Sequence, residues 1–124
     1  MNSKVFMVLR ILLGLFVITF GLNKFFNFIP FGEVPEAFGN YMGILQSAKV
    51  MYLVGAVEII SGLALIFNKY GALMALILMS VSINAVMAHA AFLPDGIAGS
   101  IVLLVLNIAV LFGYKAKYAD LIKG

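Results

Sequence analysis

Apolar residues run almost unbroken through four stretches of the chain, residues 5–26, 48–67, 71–92 and 97–114. Each is near the roughly 20 residues that carry an α-helix across about 30 Å of hydrocarbon, so the pattern predicts four transmembrane helices. The links at Asn68, Lys69, Tyr70 and Gly71 and at Leu93, Pro94, Asp95 and Gly96 are short, which makes the spans they join antiparallel neighbours. The expected fold is all-α, an antiparallel transmembrane four-helix bundle in one integral-membrane domain over residues 1–124. The first apolar run outlasts a signal-peptide core, and no small-residue cleavage site follows it before Lys24, so it is expected to remain as the first span.

The remaining connection, residues 27–47, is long. In it Phe38, Tyr41, Met42 and Leu45 recur at i, i+3, i+4 and i+7, the spacing of one helical face. This predicts a short amphipathic helix in the outer loop, with Pro35 at its start and Glu36 near the positive end of its dipole. Such a helix either floats in the headgroup plane or acts as a lid over the outer mouth of the bundle.

Composition agrees with the pattern: 65% of the 124 residues are hydrophobic and 10% charged, against about half and a quarter in a soluble domain. The partner this implies is the lipid bilayer. The net charge of +3 does not point to nucleic acid, because its sources sit beside the spans. Lys4, Arg10, Lys69, Lys115, Lys117 and Lys123 fall at one face and Lys24 and Lys49 at the other, while Glu33, Glu36 and Asp95 lie outward. By the positive-inside rule both termini are cytoplasmic. With no cysteine, the chain alone can form no dithiol relay, disulfide or thiolate metal site. One histidine and scattered carboxylates give no metal-ligand set either, so no metal site is expected.

Polar groups inside the spans are the candidate chemistry. Arg10, Gly14, Val17, Gly21 and Lys24 step by four and three, as do Gly55, Glu58 and Gly62, so each set shares one helix face. The glycines let backbones approach closely, and Arg10, Gly14, Gly21, Gly55 and Gly62 are read as structural packing positions. Counted from the cytoplasmic end of each span, Arg10 lies roughly 9 Å deep, Glu58 and Asn107 roughly 15 Å, Asn84 roughly 20 Å, and Lys24 and His89 close to 30 Å. Side chains lean toward the amino end of their helix, so Glu58 and Asn107 lean outward and Lys24, Asn84 and His89 inward. These five are the candidate ligand-binding residues, expected to converge in the middle and outer part of the bundle. An ionised acid at the depth of Glu58 needs a partner. Asn84 or Asn107 is the expected one, with Arg10 a less favoured alternative because it leans to the cytoplasm. Interhelical hydrogen bonding that only holds the bundle competes with this reading, and for His89 alone capping competes with ligand binding.

These residues resemble a known family. Arg10 with LLGLFVITFGLNKFF (residues 12–26), LVGAVEIISGLAL (53–65), SINAVMAHAAF (82–92) and VLLVLNIAVLFGYKAKYADLI (102–122) look like the DoxX family of small four-span membrane proteins. The resemblance spans nearly the whole chain, and the spaced polar residues and glycines carry it. It implies a four-helix bundle in the bacterial inner (cytoplasmic) membrane. It also implies diverse roles, since one branch supplies the membrane subunit of a thiosulfate:quinone oxidoreductase, others belong to oxidative-stress complexes, and an animal branch is a chaperone for nicotinic receptor assembly.

The expectation is therefore an accessory or binding subunit that presents a quinone or lipid to a membrane redox partner, rather than an enzyme in its own right. No catalytic residue and no built-in cofactor is assigned. The rival expectation is an assembly chaperone or a structural bundle without a ligand. A homodimer is the candidate oligomer.

Overall fold

The computed structural model describes residues 2–26, 35–92, 97–119 and 121. Glu33, Asp95, Lys123 and the link at residues 93–96 lie outside them. The described chain is all-α: α1 (Ser3–Phe26), α2 (Glu36–Ser47), α3 (Val50–Phe67), α4 (Gly71–Phe92), α5 (Ile97–Gly113) and a 3-10 turn, Lys115–Tyr118. Helices α1, α3 and α4 are long and apolar enough to cross a membrane, and α5 is equally apolar but has 17 residues. Large hydrophobic side chains such as Leu53, Phe67, Met87 and Val105 stand exposed on their surfaces, as lipid contact requires.

Backbone signals place the boundaries. Helix α2 begins after Pro35 and buries only Phe38, the first residue of the predicted apolar face. Lys49 adopts φ 60°, which separates α2 from α3 and starts the third helix two residues later than its hydrophobic run. Asn68 ends α3 at φ 54°, and the Lys69 amide returns to the Ala64 carbonyl at 3.0 Å. Asparagine tolerates this left-handed position, and the six-to-one bond satisfies a carbonyl the helix end would otherwise strand. Helix α5 gives way at Tyr114 to the short 3-10 turn, so the last helix stops one residue before the end of its apolar run.

Helix α1 packs against α3 and α5, α4 against α3 and α5, and α2 lies across α3 and α4. Leu13, Val17, Leu65, Ala75, Leu78, Leu103 and Val110 fill the space between, and Tyr114 closes one end. The glycines of α1 and α3 meet in pairs. A Cβ added to Gly14 would lie 2.8 Å from the Gly62 carbonyl oxygen, and one on Gly21 would lie 2.9 Å from that of Gly55. In both cases the facing backbone itself, together with an isoleucine side chain, stands in the way, so the two helices touch at the distance only glycine allows.

At the end where α1 begins, Tyr114 ties three elements together. Its ring meets Phe6 edge-on at 4.8 Å and its hydroxyl donates to Asn68 Oδ1 at 2.5 Å. The phenol occupies the place a side chain at Gly71 would need. Tyr118 adds a bond from its hydroxyl to the Ala72 carbonyl at 2.7 Å.

Candidate functional site

Glu58 pairs with Lys24, not with Asn84, Asn107 or Arg10. Lys24 Nζ stands 2.6 Å from Glu58 Oε1, with side-chain exposures of 20% and 3%. At this distance the ammonium and the carboxylate oxygen form a close, charge-assisted ion pair. The glycine contact makes the pair possible. A Cβ on Gly21 would sit 3.1 Å from Glu58 Cβ, and one on Gly55 would sit 3.2 Å from Lys24 Cβ. Each charged side chain therefore passes over the glycine of the facing helix.

The sequence expectation failed here because it measured depth from each helix's own end. The pairings of Gly14 with Gly62 and Gly21 with Gly55 put Phe67 level with Leu9, so the start of α1 runs roughly 9 Å past the end of α3. On that register Lys24 is only about 9 Å beyond Glu58 along the axis, and the two side chains lean toward each other. A lysine stem covers the difference. The stacking of Phe25 on Tyr52, with centroids 5.4 Å apart, fits the same register.

The other candidates do not converge on Glu58. Asn107 is fully buried, accepts the Ser82 hydroxyl at 2.7 Å and donates to the Ala75 carbonyl at 3.1 Å, so it fastens α5 to α4. Asn84 is exposed, and among the described residues its amide reaches only the Tyr41 hydroxyl of α2, at 3.5 Å. His89 is half-buried, holds the Ala85 carbonyl through Nδ1 at 2.8 Å and lies against Phe38, with ring centroids 5.9 Å apart. With Tyr41 stacked on Phe92 at 5.3 Å, these contacts form the seat of α2 on α4.

Arg10 does not snorkel to the interface. Its guanidinium donates to the Leu65 carbonyl at 2.5 Å and the Ile66 carbonyl at 3.1 Å, closing the last turn of α3 where the helix dipole favours a cation. Ser61, one turn from Glu58 on α3, is fully buried, and its hydroxyl has no hydrogen-bond partner among the described residues. The buried position of Ser61 and the contacts of Ser82 and Tyr114 were missed from the sequence. Only the three-residue step from Glu58 to Ser61 offered a signal. The open concavity beside α2, lined by Gly39, Asn40, Gly43, Ile44, Ser47 and Ala48, does not reach the Lys24–Glu58 pair.

The apolar helices, with a charged pair and glycine contacts between them, define a small all-α membrane protein. The chain belongs to the DoxX family, whose model matches residues 5–91, from the start of α1 almost to the end of α4. No curated protein and no solved structure matches it.

Proposed function

We propose that this protein is a membrane accessory subunit that holds a quinone or a lipid headgroup beside Lys24 and Glu58 and presents it to a redox partner. The Lys24–Glu58 pair carries the reading: the acid is almost wholly enclosed, while its lysine keeps a fifth of its side chain exposed. A lysine ammonium has three donors, so Lys24 can hold Glu58 and a ligand carbonyl or phosphate oxygen together. Glu58 is then placed to exchange the proton that accompanies quinone reduction, the electrons coming from the partner. The Phe25–Tyr52 stack beside the lysine offers a flat aromatic surface, and α2 lies across the same end of α3 and α4.

In this reading α1, α3, α4 and α5 form an antiparallel four-span bundle in a bacterial inner membrane. Lys4, Lys69, Lys115 and Lys117 at one end support cytoplasmic termini under the positive-inside rule. A second reading has its own observation: the carboxylate is already neutralised by Lys24, and the pair joins α1 to α3. There it is only a clamp, and the protein is a scaffold or chaperone for another membrane protein. Native mass spectrometry from mild detergent separates the two. The first predicts a bound quinone or phospholipid on the wild-type chain that is lost in Glu58→Gln with helix content retained. Bare chains of both proteins would favour the scaffold.

A further inference from the structure

Asn84 lies about two-thirds of the way along α4, inside the apolar length of that helix, yet its side chain faces outward. Its one described contact, to the Tyr41 hydroxyl at 3.5 Å, is at the limit of a hydrogen bond. Polar side chains within spans turn to the protein interior or a cavity, because an amide facing lipid loses the hydrogen bonds it had in water. The residues sharing its face make a regular series. Leu73, Ile77, Ser80, Asn84, Met87 and Ala91 step by four, three, four, three and four, and all six are exposed. The buried face of α4, with Gly71, Ala75, Leu78 and Ser82, lies on the other side.

We propose that this seam of α4 is where two copies of the chain associate in the bilayer, with Asn84 hydrogen-bonded to Asn84 of the second copy. Alternating steps of four and three are the spacing at which two helices coil together, and from Leu73 to Ala91 the seam runs about 27 Å, the length of a membrane span. The occupant is therefore a helix and not a headgroup. It is a copy of α4 because an amide both donates and accepts, so two asparagines satisfy each other. Chains inserted in one orientation bring them to the same level about a two-fold axis along the membrane normal. Ser80 and Ala91 are small enough for close approach, and one asparagine in such a seam fixes register. This inference does not rest on the reading of Lys24 and Glu58.

The absence of cysteine makes the test clean. Ile77→Cys, Ser80→Cys and Met87→Cys, reconstituted in phospholipid vesicles at low protein density, are expected to form oxidative dimers. Ile60→Cys and Val105→Cys, on exposed faces of α3 and α5, are expected to remain monomeric. Asn84→Val raises the dimer dissociation constant, read by energy transfer on lipid dilution, roughly three- to thirty-fold with helix content unchanged, and Asn84→Gln retains most of the affinity. Equal cross-linking at all five positions, a wild-type chain that is monomeric at every dilution, or a dimer indifferent to Asn84→Val would overturn the proposal.

Discussion

At the scale of single residues, the polar groups divide by what they neutralise. Arg10 serves the end of α3, and its guanidinium supplies donors to two carbonyls that lie beyond the reach of the helix's own amides. Arg10→Leu should lower stability by on the order of 2 kcal/mol, with hydrogen exchange accelerated at the α3–α4 link and little changed in α5. Tyr118, outside the spans, shows the opposite logic. Burial first, and the neighbouring Tyr114 second, push its phenol up to about 12. The folded chain thus holds the proton more tightly than the unfolded one, so the stabilisation is complete below pH about 10 and is lost as pH rises toward 12. Unfolding curves against pH should show wild type ahead of Tyr118→Phe by a constant margin below pH about 10, where the bond to the Ala72 carbonyl is intact, with that margin lost as pH rises toward 12.

At the scale of elements, the α1–α3 contact is set by glycine. Gly21→Ala places a methyl against the Gly55 carbonyl and Glu58 Cβ, both fixed by the facing helix, and should cost about 1–3 kcal/mol while disturbing the ion pair. Gly43 on α2 is the control: nothing lies within 4 Å of an added Cβ, so Gly43→Ala should stabilise α2 by about 0.5–1 kcal/mol. Thermal unfolding of both variants in one detergent checks the contrast. The helices themselves were legible in the sequence from unbroken apolar runs, α2 from its i, i+3, i+4 spacing, and the packing faces from the glycines. Two things were not. The register of α1 against α3 depends on how far one helix overhangs the other, which no local pattern records, so Lys24 was placed too far from Glu58. The rotation of α4 was hidden because that helix is apolar on every side, so Asn84 was expected beside Glu58 within the bundle when its side chain stands on the exposed face.

At the scale of the whole molecule, four apolar helices share one core, with polar contacts inside it, where Asn107 holds Ser82 and Ala75, and toward its two ends. Tyr114, Asn68 and Arg10 join the chain at the end where α1 begins, and Lys24 with Glu58 joins α1 to α3 toward the other, where α2 seats on α3 and α4. Both readings of function require Lys24 and Glu58 to act as one unit across the glycine contact. A double-mutant cycle of Lys24→Met and Glu58→Gln, read by reversible unfolding of the reconstituted chain, tests that requirement most directly. A coupling of about 1–3 kcal/mol is predicted, with the double variant more stable than the sum of the single losses allows. Losses that add to within about 0.5 kcal/mol would contradict it.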